Sequence, residues 1–515
     1  MALPAFSRDA PGRPTSAGVY LSALGARLVR FWPLIWGTLL ALLVLGAAGR
    51  AADRLLWHDE LFTLYASQLS LPDLWRALAD GFDLQPPLSY VITKAQVALT
   101  GEGLVAARLP SLAGFAAGCL GLAMFVKRRV GVAGGTVALL VPAVTTGYEY
   151  AYEVRPYGLV LGATGAALVC WQAVEEPRWR VPALVGLALS IAVAVSLHYY
   201  AVLILFPLAI GELLRMRRDG SFHLPVWIAM AAGCLPLAAY LPLISAASEY
   251  STLFWTRASL GQVPYTYRYF LYPTLLPLLL GVVGFSVYRL LVPDDPLRHS
   301  RPTPTPMPEL GVSLALLLLP VIAVGLGFLT GGYRHRYAIP MVLGFGGVIG
   351  ILSGTSRSLR PAALLAVLTV WLGARSLLYA MLLVTAAPDP LERHPMLRAA
   401  MREPDLPIAL SNDATYTQLA HYAPRELTSR ITIVMPPADL SVPRFEDSSE
   451  RAMRALNRWR PVKIEEYADV IRRTAPFYIY GDARWLTLQV MHDGARVELV
   501  GEGYGQRLLR VTWPR

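Results

Sequence analysis

Two adjacent carboxylates, Asp59 and Glu60, stand in the stretch Trp57-His58-Asp59-Glu60, just past the first long apolar run of the chain. Acids at a membrane edge are costly unless they are solvated, paired or put to use. Neighbours on a helix point about 100° apart, so one carboxylate can face a cavity while the other meets a support. The chemistry on offer is general-base catalysis, worth ~10²–10⁴-fold in rate; the plainer alternative is a solvated helix N-cap. A second constellation, Tyr148-Glu149-Tyr150-Ala151-Tyr152-Glu153-Val154-Arg155-Pro156-Tyr157, sets acids and an arginine among tyrosines. It suits a sugar and a phosphate, although tyrosine is also a routine interface anchor, and Glu153 and Arg155 suit a pair with each other. In Tyr333-Arg334-His335-Arg336-Tyr337 two arginines share a very short turn between apolar runs. That is the material of a bidentate phosphate clamp or of two snorkelling anchors. His198-Tyr199-Tyr200 lies between two further apolar runs, where a lone His is more often a hydrogen-bonded interfacial residue than a metal ligand. Arg375 falls near the middle of the last apolar run, a functional candidate by default unless a partner such as a backbone carbonyl explains it.

The elements that position these groups are membrane helices. Of 515 residues, 55% are hydrophobic and only 16% charged, with a mean hydropathy of +0.45; soluble domains run nearer about 25% charged. A spanning helix needs about 20 mainly apolar residues, and roughly eleven stretches qualify. They lie near 31–50, 104–126, 131–147, 158–174, 181–198, 199–214, 224–247, 272–292, 309–330, 337–353 and 361–385. The first of these resembles a signal peptide in its apolar character, but the stretch before it is long and further spans follow. The expected fold class is therefore an α-helical polytopic membrane protein.

The net charge of +11 is not a nucleic-acid footprint, because its distribution follows the loops. Arg8, Arg13, Arg27 and Arg30, then Lys127-Arg128-Arg129, Arg178 and Arg180, Arg215 with Arg217-Arg218, Arg298 with Arg301, and Arg357 with Arg360 all fall on one side of the predicted spans. The positive-inside rule makes that side cytoplasmic. With an odd number of spans the segment after 385 is extracytoplasmic, and from Asp389 onward 18 Lys/Arg nearly balance 17 Asp/Glu. No RNA or DNA partner is implied. Cys119, Cys170 and Cys234 all lie in apolar spans, so no disulfide framework is expected in the exported part.

Three regions follow: a cytoplasmic lead at 1–30, a transmembrane body at 31–385, and a small extracytoplasmic α/β domain at 386–515 behind Pro388-Asp389-Pro390. In that domain Pro407–Leu410, Ile431–Met435 and Phe477–Tyr480 read as strands. Tyr416–Tyr422 and 448–474 read as helices, and Arg496–Trp513 as a hairpin with a turn at Gly501–Gly505. Within the long first loop, 51–103, two amphipathic runs are expected to lie on the membrane surface. Leu71, Leu74, Trp75, Leu78 and Phe82 mark the first. Leu88, Val91, Ile92, Ala95 and Leu99 mark the second, which starts behind Pro86-Pro87. Every candidate reactive group except Arg375 maps to the exported face.

The order of these motifs resembles the GT-C membrane glycosyltransferases of the protein O-mannosyltransferase type, which include the lipid A aminoarabinose transferases. The matching pieces are Asp59-Glu60, Gln85-Pro86-Pro87-Leu88 with Tyr90, Arg108-Leu109, Glu153-Val154-Arg155-Pro156-Tyr157, His198-Tyr199, and Arg336-Tyr337 with Pro340, over roughly 30–385. The resemblance implies transfer of a sugar from a polyprenyl-phosphate donor to an envelope acceptor (lipid, glycan or protein) on the outer side of a bacterial inner membrane. It implies Asp59 and Glu60 as the catalytic carboxylates, and Arg155, Arg336 and Arg334 on the donor phosphate. Gln85, Glu153, Tyr157, His198 and Tyr199 would line the substrate. Where that family usually has a His before the paired prolines, this chain has Gln85, which puts a divalent metal in doubt and leaves Glu153 and His198 as the candidate ligands.

A lipid or glycan transporter is the first alternative. It predicts internal repeats and polar residues at mid-membrane, whereas here the polar groups gather at one face. A lipid-linked glycan ligase differs only in how much glycan moves. A non-catalytic envelope scaffold would tolerate the loss of Asp59.

Overall fold

A computed structural model describes residues 30–248, 256–291, 304–355, 361–437, 448–473, 475–481 and 485–514. The expected cytoplasmic lead, apart from Arg30, and the arginines at 298, 301, 357 and 360 lie outside these residues. Among the described residues six helices are long and apolar enough to cross a membrane, or nine if each of three bent pairs is one span. The stretch Ala106–Val144 passes that test as a unit, but Gly131 breaks it with φ 85° and ψ 179°. A Cβ on Gly135 would meet the Ala123 carbonyl at 2.8 Å. Residues 12 apart touch only if the chain folds back, so this stretch is a helical hairpin, as the separate runs at 104–126 and 131–147 suggest. Counting both of its arms and the shorter apolar helix Met341–Thr355 separately gives eleven apolar segments, against six to nine that are long enough to span.

Close helix packing depends on small residues. The first arm of that hairpin, residues 109–130, and the helix Tyr157–Ala173 meet along Gly114, Gly118 and Gly158, where an added Cβ on Gly158 would lie 2.3 Å from the Ser111 carbonyl. In lipid, such backbone contact supplies the association that water would otherwise drive. The first and last spans, Trp32–Ala52 and Pro361–Thr385, pack the same way. Gly46 meets Ser376 and Gly49 meets Tyr379, so the two helices run parallel and leave the bundle at the same face. That register delivers the C-terminal segment beside residues 53–60.

The C-terminal segment forms one six-stranded sheet. Strands β1 (Ile408–Leu410), β2 (Ile431–Met435), β3 (Ile464–Glu466), β4 (Phe477–Gly481), β5 (Arg496–Gly503) and β6 (Gln506–Thr512) stand in the order β3-β2-β1-β4-β6-β5. The first four are mutually parallel; β6 and β5 close the edge as the expected antiparallel hairpin, turning at Tyr504-Gly505. The helix read over 448–474 is corrected. It stops at Trp459 and the chain re-enters the sheet as β3 before a short helix at Tyr467–Val470. Pro461 ends it, since proline lacks the N–H a helix needs and disfavours helix before it.

In the first loop the helices Leu71–Ala79 and Leu88–Thr100 form as expected, and a further helix, His58–Gln68, precedes them. Leu88–Thr100 buries Ser89, Thr93 and Gln96 and leaves Leu99 83% exposed. Of its apolar stripe Ala95 and Leu99 are exposed, while Leu88, Val91 and Ile92 are half-buried and pack against the core.

Candidate active site

The helix His58–Gln68, called the site helix below, begins where the first span has ended and carries both acids in its first turn. Glu60 is fully buried and both its oxygens are occupied. Oε1 accepts from Arg108 Nε and the Val154 amide, each at 2.8 Å, and Oε2 accepts from Arg108 Nη2 at 2.8 Å and the Trp57 amide at 3.1 Å. Arg108 also donates to the carbonyls of Ala51 and Arg54, both at 2.7 Å. The pair therefore ties together the exit of the first span, the entry of the second and the 153–155 turn.

Asp59 points the other way. Its Oδ2 lies 2.9 Å from Arg336 Nη2 and 3.9 Å from Arg155 Nε. Arg155 in turn donates through Nη1 to Asp83 at 2.8 Å and to the Thr63 hydroxyl at 3.1 Å. The Arg336 guanidinium sits over the rings of Trp57 and Tyr157, 5.8 and 5.7 Å from their centroids. Burial alone would raise the Asp59 carboxyl, but Arg336 and Arg155 outweigh it and hold the group below the usual carboxylate range. Glu153 behaves in the opposite sense. Its Oε1 meets Arg54 at 3.3 Å, and burial, opposed by Arg54 but helped by the charge of Glu60, pushes it up to about 7. Arg54, Arg155, Arg334 and Arg336 face Asp59, Asp83 and Glu153 here, a surplus of positive charge.

His198 caps the short helix Tyr199–Ile204. Its Nδ1 accepts the Tyr200 amide at 3.2 Å. Burial, with Arg155 and Arg336 nearby, pushes the ring down to about 3, so it is neutral and carries its proton on Nε2. That Nε2 has no hydrogen-bond partner, and neither do Trp57 Nε1, Gln85 Oε1, Glu153 Oε2, Tyr157 OH, Arg155 Nε and Arg336 Nε, all buried. Buried polar atoms are seldom left so. A cluster of them around convergent guanidiniums has the character of a site that a polar, anionic ligand completes.

Of the residues singled out in the sequence, Asp59, Glu153, Arg155, Tyr157, His198, Arg334 and Arg336 are linked by these contacts or by direct electrostatic influence on one another. Glu60 lies behind them as a strut. Tyr199 sits further out, its ring 6.5 Å from that of Tyr240 and its hydroxyl influenced by Asp83. Arg375 is elsewhere: it donates to the Ala143 carbonyl and lies over the Tyr148 ring, 4.1 Å from its centroid. Asp83, Thr63 and Arg54 were not anticipated. Asp83 had a signal, since it stands two residues before Gln85-Pro86-Pro87; Arg54 and Thr63 had none.

The donor set does not fit a divalent metal. Among the described residues no three of His, Cys, Asp and Glu cluster so as to hold one. His198 presents an N–H rather than a lone pair, and Asp59 is engaged by arginines.

No family model matches the chain. No curated protein matches it either. Among the solved structures similar to it are two of ArnT from Cupriavidus metallidurans. The apo form has a TM-score of 0.54 at 12% identity over 93% of this chain and 97% of that one. The form bound to undecaprenyl phosphate also has a TM-score of 0.54, at 13% identity over 93% and 98%. The architecture is the GT-C fold: a polytopic helical body with a small C-terminal sheet region.

Proposed function

We propose that this chain is a polyprenyl-phosphate-sugar-dependent glycosyltransferase that works on the extracytoplasmic face of a bacterial inner membrane. The observation that carries the reading is the convergence of Arg155 and Arg336 on Asp59 amid buried polar atoms with no partner. The fold supports it, since one protein that shares it was solved with undecaprenyl phosphate bound.

The donor's isoprenoid tail stays in lipid while its phosphate takes the guanidiniums of Arg155 and Arg336, with Arg334 adding charge. Those guanidiniums now hold the Asp59 carboxylate, so a phosphate competing for them releases Asp59 and restores its basicity when the donor is in place. The acceptor hydroxyl then attacks the anomeric carbon and its proton passes to Asp59. The bond from that carbon to the phosphate oxygen breaks, and the electron pair leaves on the polyprenyl phosphate, where fixed cations stabilise the developing charge. The His198 Nε2–H, Gln85, Glu153, Tyr157 and Tyr199 offer polar contacts to the sugar. Glu60 acts by position, through Arg108. A lipid-linked glycan ligase would use the same site with a longer donor.

The test is turnover by purified protein in liposomes, with a panel of polyprenyl-phosphate sugars and a crude envelope acceptor. Wild type should consume one donor, and folded Asp59→Asn should lose ~10²–10⁴-fold. Transfer of whole glycans instead would favour the ligase, and consumption unchanged in Asp59→Asn would remove Asp59 as the base. Movement of an intact lipid across the bilayer without bond breakage would replace the enzyme by a transporter.

A further inference from the structure

No step of the proposed transfer uses the aromatic surface that flanks the Asp59 end on the side of Glu153. The helix Gln262–Leu271 packs there against the 331–340 turn. Thr266 Oγ1 lies 2.8 Å from the Tyr333 hydroxyl, and the Tyr269 ring rests on the His335 imidazole, 4.0 Å between centroids. The chain continues through Tyr272–Thr274 into the apolar helix Leu275–Leu291, so that Gln262–Val287 is one candidate span of 26 residues. As helix that is about 39 Å, against about 30 Å of hydrocarbon. Its polar end, with Gln262, Thr266 and Arg268, therefore stands clear of the hydrocarbon.

Tyr265 and Tyr269 share one face of this end, and Tyr265 is 52% exposed. The Tyr265 ring stands 6.1 Å from that of Tyr269 and 5.8 Å from that of His335. Glu149, exposed on the 145–156 turn, accepts from the Tyr269 hydroxyl at 3.4 Å. Two routes lead from this surface to Asp59. His335 Nε2 is 3.2 Å from the Tyr150 hydroxyl, and the Tyr150 ring meets edge-on that of Tyr157, over which Arg336 sits. Half-buried Arg54 feels the charge of both Glu149 and Glu153, and Glu153 Oε2 is buried without a partner.

Interface anchoring accounts for tyrosines that face headgroups. It does not account for a ring stacked on a buried imidazole with its hydroxyl aimed at a carboxylate. A pyranose complements this surface. Its weakly positive C–H face suits the negative faces of the tyrosine and histidine rings, and its hydroxyls suit Glu149 and Arg54. The charges are mixed, Glu149 and Glu153 against Arg54 and Arg334, which favours a neutral polyhydroxyl group over an ion.

We propose that Glu149, Arg54, Tyr265, Tyr269 and His335 form the acceptor subsite, and that its occupant is a sugar ring whose hydroxyl reaches Asp59 past Glu153. The acceptor is then a saccharide rather than a protein side chain. Its standing as acceptor rests on the glycosyltransferase reading; the binding of a sugar ring does not.

Two measurements on the full chain test this. In nanodiscs of deuterated lipid, the octyl β-glycosides of glucose, galactose and mannose serve as probes below their micelle concentrations. Saturation of the tyrosine rings by NMR should transfer to the sugar C–H protons of at least one probe. The transfer should fall severalfold in Tyr265→Leu and recover in Tyr265→Phe, which restores the ring face. Tyr265 is exposed, so neither variant threatens the fold. No transfer to any of the three sugars, or transfer as strong in Tyr265→Leu, overturns the subsite. In the liposome turnover assay the envelope fraction is the varied substrate. Tyr265→Leu and Glu149→Gln should raise its half-saturating concentration about tenfold with the donor KM unchanged. A rise in the donor KM instead, an unmoved acceptor dependence, or acceptor capacity destroyed by proteinase treatment of the fraction overturns the assignment to an acceptor sugar. If wild type turns over no donor, the transferase reading falls, while the NMR result still decides whether a sugar ring binds.

Discussion

The two ends of the helical body both bury charge, and they handle it in opposite ways. At the end away from the C-terminal sheet, Glu212 accepts from Trp171 Nε1 at 2.9 Å, meets His223 Nδ1 at 2.7 Å, and pairs with Arg215. Arg215 returns a bond to the Trp171 carbonyl at 2.9 Å and stacks over that indole at 4.4 Å. Arg129 pairs with Glu309 and Glu175, Arg218 meets Glu175 at 2.9 Å, and Gln172 meets Glu309 at 3.0 Å. Acids and bases there nearly match one for one, leaving Arg215 Nε and Glu309 Oε2 as the orphan atoms of those pairs. At the Asp59 end, by contrast, cations exceed acids and seven buried polar atoms wait without partners. Buried charge is therefore no signature of a site by itself. A closed network clamps helix ends together; an open one has the unpaired groups that a ligand site requires.

That contrast breaks most easily on Arg336. If the Asp59 end is a site, Arg336→Met should cut kcat by ~10²–10³-fold while the thermal midpoint hardly moves, because the lost partner was one of two on Asp59. A collapsed midpoint with kcat intact in the surviving protein would make this end a second clamp. At the other end the expectation reverses. Glu212→Gln strands a buried Arg215 and should cost about 3–5 kcal/mol of stability, read from denaturation in detergent, with kcat per folded molecule unchanged. The double change Glu212→Leu with Arg215→Met should recover most of that loss, since a matched apolar pair carries no desolvation cost.

Much of the candidate site was legible because lipid makes charge conspicuous. Asp59, Arg155 and Arg336 stood out as ionisable groups at the ends of apolar runs, and the polytopic body followed from composition and run length. The division of labour between Asp59 and Glu60 was not legible. Two adjacent carboxylates look alike until Arg108, 48 positions away, takes one of them. The same holds for His58, which meets Thr417 more than 350 positions away; no local period encodes a contact of that range. The 448–474 helix was misjudged because amphipathic spacing continued past Pro461, where a backbone rule should have outranked the pattern.

Glu153 sharpens the contrast through pH. Its folded carboxyl sits at about 7 against an ordinary 4.5, so the fold favours its protonated form. Stability from this group is fully present below pH 4.5 and is lost as pH rises through about 7. The linkage has an upper limit of about 3 kcal/mol. Glu153→Gln should flatten that dependence and leave the protein more stable than wild type at pH 8. A slope identical in the two proteins would mean that Glu153 is well paired, and that the Asp59 end is more closed than its orphan atoms imply.

The smallest effect is expected at Arg375, a charged group within the last apolar helix, Pro361–Thr385. Its guanidinium is served by the Ala143 carbonyl and the Tyr148 ring, and Tyr148 also donates to the Leu43 carbonyl at 2.7 Å. The arginine therefore stitches the last span to the first and third, the same junction that Gly46 and Gly49 already close by backbone contact. Arg375→Met keeps the volume and removes a charge that was costly to bury, so the lost cation–π contact, about 1–2 kcal/mol, and the recovered desolvation cost should largely cancel. Thermal midpoint and donor turnover should both stay close to wild type. A loss of turnover at full stability would instead mean that the first span moves during the reaction and that Arg375 guides it, and the Asp59 end would then extend into the membrane.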